Sequence, residues 1–273
     1  MKSDLIKRNF LSHKKPQGEI TRGKTAPGRL RRTDLLMSLY DPFLFSVNSI
    51  VPGYYVDLGY GHTPLTTIES YHYFSSLNQN LIFLGVEIDP VRVRNAQPFT
   101  KERLMFRCGG FNLPVNNSEP VRYIRAFNVL RQYHENDVND AYEMMASYLS
   151  PGGIILDGTS NPSGTIWTAN IIRKHKAGYK EEALVFSYSG KEEFSPDIFP
   201  PYLIKKWIHK MGDESPVRAF FDQFRFSYKQ SLMFPGGSKR KFVKSAFYLK
   251  EFSNVCCRKR FLNRGYLIWW YPS

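Results

Sequence analysis

The residues best suited to chemistry in this chain of 273 residues lie in the segment 54–62, which reads YYVDLGYGH. An apolar run there ends at Asp57, and Gly59 and Gly61 follow at once. Glycines let the backbone turn sharply and let a ligand approach it closely. Pro64 then opens a helical stretch, and the N-terminus of a helix favours negative charge. The spacing indicates a ligand-binding turn, although Pro64 stands where the third glycine of a complete dinucleotide pattern would be.

A second carboxylate follows the next apolar run along the chain. Residues 81–86 (LIFLGV) lead directly into Glu87, Ile88 and Asp89. A carboxylate at the tip of the strand after a glycine turn can accept hydrogen bonds from both hydroxyls of a ribose. The pattern therefore indicates a nucleoside site, with Glu87 and Asp89 as the candidate ribose ligands.

Strands that alternate with helical segments must position these residues. Further apolar runs are found at 104–106, 121–127 and 154–156, and a helical stretch covers about 137–149. Such alternation indicates βαβ units and a mostly parallel sheet. The β-rich runs 166–172 and 183–188, separated by a charged turn at 173–182, indicate an antiparallel hairpin that ends the sheet.

This series resembles the class I S-adenosylmethionine-dependent methyltransferases over about half of the chain, from 54 to 189. Five segments in order carry the resemblance: Val56–Gly61, Gly85–Asp89, Gly109–Pro114, Asn128–Leu130 and Leu149–Gly153. The resemblance implies an α/β, Rossmann-like, mostly parallel seven-stranded sheet with a terminal antiparallel hairpin. It implies S-adenosyl-L-methionine as the cofactor and no metal.

The resemblance also assigns cofactor contacts to individual residues. Those expected to hold the cofactor are Asp57, Gly59, Tyr60, Gly61, Glu87, Ile88, Gly110, Phe111 and Asn128. Glu87 would bind the ribose and Phe111 would lie against the adenine. Many family members carry an acid where this chain has Gly110, so Asn112 or a backbone carbonyl must take over that contact.

Catalytic candidates follow the fourth strand, which faces the transferred methyl group in this fold. Asn128 is expected to position the acceptor, and Tyr133, His134 and Glu135 are candidates to orient or deprotonate it. Neither Asn/Asp-Pro-Pro-Tyr/Phe nor Pro-Cys follows this strand, which disfavours methylation of an exocyclic base amine or of cytosine carbon 5.

Two alternatives share the expected fold. The aminopropyl transferases that make spermidine also carry the Glu-Ile-Asp signature, but they need several acidic residues around a cationic substrate. Here the segment after the fourth strand offers Asn128, Arg131, Gln132 and Tyr133 instead. The second alternative is a catalytically silent module that keeps the fold for binding.

Composition and charge indicate where the protein is located and how its charge is distributed along the chain. No apolar run approaches the ~20 residues of a membrane span, and the charged N-terminus is unlike a signal peptide, so we expect a cytoplasmic protein. The three cysteines lack the spacing of a zinc site. The net charge of +14 is concentrated at the two ends: residues 1–32 hold ten Lys/Arg against two acids, and residues 239–264 hold nine against one.

The distribution of charge suggests a polyanionic partner. Basic ends that flank a nearly neutral middle favour RNA as acceptor or partner, through Arg29–Arg32 and Lys239–Lys241. A small-molecule or protein acceptor remains the alternative. We expect three regions: a basic arm with a flanking helix (1–48), the methyltransferase domain (49–190) and an aromatic- and basic-rich helical region (191–273), whose apolar tail at 266–271 docks as a strand or wedge.

Overall fold

The computed structural model describes residues 15–49, 51, 53–116, 118–212 and 214–271. Its centre is a mixed sheet with strand order β3-β2-β1-β4-β5-β6-β7-β9-β8. The strands are β1 Tyr54–Leu58, β2 Ile82–Glu87, β3 Leu104–Cys108, β4 Val121–Phe127, β5 Leu149–Ser160, β6 Ile166–His175, β7 Gly178–Tyr188, β8 Val255–Cys256 and β9 Tyr266–Trp270. Strands β1 to β5 are parallel, and β6 to β9 are antiparallel to their neighbours.

The α/β class is confirmed, but the predicted number of seven strands is wrong. The described chain forms nine strands, because the C-terminal residues return to the sheet as β8 and β9. Half of the strand pairs are antiparallel, so the sheet is mixed rather than mostly parallel. The hairpin at 166–188 exists, but its strands run through most of the segment predicted as a turn, since His175 already pairs with Gly178.

Helices cover both faces of the sheet. They are α1 Arg31–Tyr40, α2 Leu65–Ser75, α3 Pro90–Ala96, α4 Glu135–Tyr148, α5 Lys205–Ile208, α6 Pro216–Ser231, α7 Ser238–Leu249 and α8 Lys259–Leu262. Alternate side chains of one strand enter opposite cores, as a period of two residues requires. Tyr55 packs with residues of α1 and α2, whereas Val56 packs with residues of α4.

The C-terminal region packs on the antiparallel end of the sheet. Aromatic residues of α6 and α7 form a third core with β7 and β9, in which the ring of Phe220 stacks on Trp269 at 4.5 Å. The predicted docking of the tail as a strand is confirmed by the pairing of Leu267 with Phe186. The region 191–273 is only partly helical, because α7 ends at Leu249 and β8 and β9 follow. The division of the chain at residues 48 and 190 stays a prediction.

No helix within the described ranges is long and apolar enough to cross a membrane.

Candidate functional site

The glycine turn lies at the carboxyl end of β1, between the sheet and α2. Gly59 and Gly61 have φ angles of 71° and 90°, a region that side chains disfavour. A Cβ atom on Gly59 would lie 2.7 Å from the Cγ2 atom of Val129. The turn therefore requires glycine both for its conformation and for the close approach of the segment after β4.

Asp57 reaches this edge of the sheet with its carboxylate already engaged. It is 2% exposed and forms an ion pair with Arg125, at 2.9 Å, while Thr66 and Thr67 donate hydrogen bonds to its Oδ2 atom. Arg125 is fully buried and also pairs with Asp34, at 2.8 Å. The carboxylate of Asp57 therefore helps to hold the strand end and the start of α2 together. Asp57 also lines the larger cavity described below, and its contact with the cofactor stays a prediction.

Glu87 ends β2 beside the turn, and this arrangement fits a ribose ligand. Its carboxylate is buried and accepts hydrogen bonds from the amides of Gly61, at 2.9 Å, and Ile88, at 3.0 Å. The guanidinium of Arg92 lies 3.6 Å away. Asp89 instead caps α3, because its Oδ1 atom accepts a hydrogen bond from the Val91 amide at 2.8 Å. The structure thus assigns a different use to each of the two candidate carboxylates.

Residues 15–25, here called the strap, run across the carboxyl edge of the parallel strands. The Phe111 amide donates to the carbonyl of Gln17 at 2.9 Å, and the Gln17 amide donates to Oδ1 of Asn112 at 2.7 Å. Further along, the Glu19 amide donates to the hydroxyl of Tyr133. The far end is held because the His62 amide donates to the carbonyl of residue 23 at 2.9 Å. The described part of the basic arm is therefore tied down along the sheet edge.

The strap fills the volume that the nucleoside contacts would surround. A cavity of only about 20 Å³ remains between the strap and the residues Glu87, Ile88, Gly110 and Phe111. A Cβ atom on Gly110 would overlap with the carbonyl of Gln17, so this position must lack a side chain while the strap is closed. That contact explains why the chain has no acid at Gly110.

A larger cavity of about 550 Å³ opens on the other side of the glycine turn. It is lined by strap residues, by the turn and by the segments after β4 and β5. The lining includes Arg22, Lys24, Thr25, Arg29, Asp57, Gly59, Tyr60, Gly61, Phe127, Asn128, Arg131, Gln132 and Pro162. The sequence predicted the contributions of Asn128, Arg131 and Gln132. It missed those of the strap and of Arg29, because no local pattern shows that residues 15–29 fold back over the sheet.

Asn128 lies at the wall of this cavity in a left-handed conformation, with φ of 60°. Asparagine adopts this conformation more readily than most residues. Its side chain bridges β4 and β5, since Oδ1 accepts from the Ser160 amide at 3.0 Å and Nδ2 donates to the Ser160 hydroxyl at 3.2 Å. The amide that was expected to position an acceptor is thus committed to holding the strand ends together.

The other three catalytic candidates do not line the larger cavity. Tyr133 lies on the nucleoside side, where burial raises the pKa of its phenol and its hydroxyl binds the strap. His134 is exposed immediately before α4. Glu135 forms an ion pair with Lys210 at 3.2 Å. None of the three lines the larger cavity in this structure, and their role in orienting or deprotonating an acceptor stays a prediction.

The two basic ends of the sequence meet at a separate groove of about 400 Å³. Arg32, Lys239, Arg240 and Arg264 contribute to its wall. Arg32 is partly committed to the protein, because it donates to the hydroxyl of Ser187 at 3.0 Å and to the carbonyl of Arg264 at 2.7 Å. Lys239 and Arg240 are exposed.

Comparison with known proteins gives partial likenesses only. No family model and no curated protein sequence matches the chain. A solved structure of the plantazolicin methyltransferase BpumL in complex with SAH matches at 15% identity and a TM-score of 0.37, over 49% of this chain and 47% of that chain. N-methyltransferase NodS from Bradyrhizobium japonicum WM9 matches at 15% identity and a TM-score of 0.34, over 48% and 68%.

A third solved structure, LepI in complex with SAM, matches at 15% identity and a TM-score of 0.36, over 44% of this chain and 30% of that chain. The chain thus spans less than half the length of BpumL and less than a third of the length of LepI. At these TM-scores the likenesses carry no argument, and function is inferred from the geometry of the site.

Proposed function

We propose that this protein is an S-adenosylmethionine-dependent methyltransferase. One observation carries the proposal: the carboxylate of Glu87 and the glycine turn are joined by the 2.9 Å hydrogen bond from the Gly61 amide, at the edge of a 550 Å³ cavity. A carboxylate suited to a ribose and a glycine turn that a ligand can approach closely therefore lie side by side. This is the pairing that a nucleoside linked to methionine requires.

The residues present would divide the cofactor between them. The glycine turn, whose Gly59 and Gly61 amides already donate within the protein, would lie against the methionine part of the cofactor, close to the N-terminus of α2 where negative charge is favoured. Glu87 would accept from the ribose hydroxyls, and Ile88 and Phe111 offer apolar surface to the adenine. When bound, the cofactor supplies an electrophilic methyl group. The chain then needs mainly to align the acceptor, because methyl transfer is an in-line displacement.

Residues 17–21 of the strap must leave the nucleoside side when the cofactor binds, whereas the far end of the strap, held by the His62 amide, stays beside the larger cavity. The remaining 20 Å³ cannot hold an adenine. Residues 15–21 of the strap are held there by hydrogen bonds with Phe111, Asn112 and Tyr133, and the side chains of Gln132 and Arg92 donate to the carbonyls of Glu19 and Thr21. Each such bond contributes about 0.5–1.5 kcal/mol net. Six such bonds sum to about 3–9 kcal/mol, so opening would use a large part of the gross binding free energy of the ligand.

For the methyl acceptor we propose only a class of molecule. A small molecule or a peptide group could enter the larger cavity directly. RNA remains a proposal as partner, and it is supported by the groove in which Arg32 and Arg264 meet Lys239 and Arg240. A polyamine is disfavoured, because cations line the cavity where the methyl group would be exposed.

A second candidate function is a silent binding module, and the closed strap favours it. In that case residues 15–25 permanently replace the nucleoside, and the fold serves another purpose. The two candidates differ in a single measurable property, which is the ability to bind S-adenosylhomocysteine.

Calorimetric titration with S-adenosylmethionine and S-adenosylhomocysteine tests the proposal. We expect micromolar binding to the intact protein and a loss of about 10–100-fold in Glu87→Gln, because a charge-assisted hydrogen bond contributes about 1.5–3 kcal/mol. Asp89→Asn is the matched control, since an asparagine preserves the cap of α3. Absence of binding to the intact protein would support the silent module instead.

A further inference from the structure

The larger cavity is surrounded by positive charge that the protein itself does not neutralise. Arg22 and Lys24 reach it from the strap, and Arg131 reaches it from the segment after β4. All three residues are exposed, and no ion pair or side-chain hydrogen bond among the described residues involves their charged groups. Arg29 adds a fourth cation, half-buried and donating to the Ser160 hydroxyl at 3.1 Å.

Negative charge in the same wall is already used. Among the described residues that line the cavity, Asp57 is the only acid. Its two oxygens accept from Arg125, Thr66 and Thr67. The cavity therefore presents a surplus of cations to whatever enters it.

A buried polar atom at the same wall also lacks a partner. The Oγ1 atom of Thr25 has no hydrogen-bond partner, although it is inaccessible to solvent. An unmade hydrogen bond of this kind is costly, so such atoms are uncommon. A ligand with oxygen acceptors beside Arg22 and Lys24 would meet the positive charge, and the Thr25 hydroxyl, which solvent does not reach, could donate to it only after the wall shifts.

We propose that the cavity selects an anionic methyl acceptor, one that carries a phosphate or carboxylate group near the methylated atom. This inference rests on the proposed function, because it takes the cavity as the acceptor side of the methyl-transfer site. The cofactor cannot itself supply the missing charge: its carboxylate is offset by its ammonium group, and its sulfonium adds a further positive charge. Opposite charge in a cleft raises both affinity and the rate of encounter.

The arrangement also couples the two ligands. A bound anion would favour S-adenosylmethionine, which carries the sulfonium, over S-adenosylhomocysteine, which does not. Coupling of this kind is reciprocal, so the charged cofactor would raise the affinity for the anion by the same factor.

Calorimetry with simple anions tests the proposal on the full-length protein. The probes are inorganic pyrophosphate and, in a second arm, citrate, which represent the phosphate and carboxylate sources. The cavity variant combines Arg22→Gln, Lys24→Gln and Arg131→Gln. The control variant removes the same amount of charge from the β6–β7 hairpin with Lys174→Gln, Lys176→Gln and Lys180→Gln. These residues lie at the amino end of the parallel strands, away from the cavity.

We expect at least one of the two anions to bind the intact protein and the control variant equally, and to bind the cavity variant at least tenfold more weakly. The bound anion should raise the affinity for S-adenosylmethionine several-fold more than that for S-adenosylhomocysteine. Equal binding to both variants, or no binding of either anion, would overturn the proposal.

The outcome also separates this inference from the proposed function. If S-adenosylhomocysteine binds but the binding of neither anion depends on Arg22, Lys24 and Arg131, the proposal of an anionic acceptor is refuted and the methyltransferase proposal stands. If anion binding depends on these three residues but neither S-adenosylmethionine nor S-adenosylhomocysteine binds, the site is an anion site and the methyltransferase proposal fails.

Discussion

The buried ion triad beneath the glycine turn gives the sharpest prediction. Arg125 is fully buried and pairs with Asp34 and Asp57, which are each 2% exposed, at 2.8 and 2.9 Å. Replacing this arginine with methionine leaves two carboxylates in a space that water does not reach. Breaking a buried pair in this way costs about 3–5 kcal/mol. Because small domains are stable by about 5–15 kcal/mol, Arg125→Met should lose about a fifth or more of the free energy of unfolding.

A matched arginine provides the control. Arg173 also bridges two carboxylates, those of Asp41 and Glu182, at 2.8 and 2.7 Å, but about a fifth of its side chain is exposed. Water can solvate the carboxylates that Arg173→Met leaves behind, so its cost should stay near 1 kcal/mol, the upper range for exposed pairs. Urea unfolding followed by tryptophan fluorescence measures both variants.

Neutralising the acids should restore part of the loss. The variant Arg125→Met combined with Asp34→Asn and Asp57→Asn should be more stable than Arg125→Met alone, since no unpaired charge then remains. Two results would refute this prediction. One is a free energy of unfolding of Arg125→Met within about 1 kcal/mol of that of the unaltered protein, and the other is a value no lower than that of Arg173→Met. For the same reason Asp57→Ala is a poor test of cofactor binding, because this substitution would weaken the fold itself.

Three further predictions concern the strap, the sheet interior and the basic groove. Tyr133→Phe removes the hydroxyl that holds the strap, so it should raise the affinity for S-adenosylhomocysteine by about 2–10-fold in calorimetry; a loss of affinity would instead indicate direct contact with the ligand. Burial raises the pKa of Asp157 from 3.8 to about 7, so folding favours its protonated form. Its stabilisation is full below the unfolded pKa and is lost as the pH rises from about 4 through 7, by about 2 kcal/mol from pH 5 to 7; thermal unfolding of Asp157→Asn should lack this decline, and a pH profile unchanged by the substitution would contradict the prediction. Lys239→Gln with Arg240→Gln should weaken the retention of single-stranded RNA and reduce its salt dependence, as measured by filter binding from 50 to 200 mM salt; retention unchanged in the variant would exclude the groove.

The parallel half of the fold follows from the sequence because its signals are local. The run that ends at Asp57 and the run that ends at Glu87 each contain a buried strand and the turn after it. The positions of Gly59 and Gly61 at one edge of the sheet then follow from the parallel arrangement. Residues that are adjacent in these motifs could therefore be placed at the sheet edge from the local sequence pattern alone.

The remainder depends on contacts between distant segments. No local pattern tells that Gln17 passes over Gly110, or that a terminal strand beginning at Tyr266 pairs with β7. Arg125 reads as an ordinary strand residue until Asp34 is placed beside it. The same limit applies to Tyr133, whose hydroxyl accepts a hydrogen bond from the amide of Glu19, a residue more than a hundred positions away.

Hydrogen exchange of the full-length protein with and without S-adenosylhomocysteine tests the central claim most directly. The account predicts that ligand slows amide exchange at the glycine turn and at residues 86–89, while exchange in residues 17–21 becomes faster as the strap leaves the nucleoside side. Unchanged exchange at the turn and at residues 86–89, with the strap still protected at saturating ligand, would contradict it.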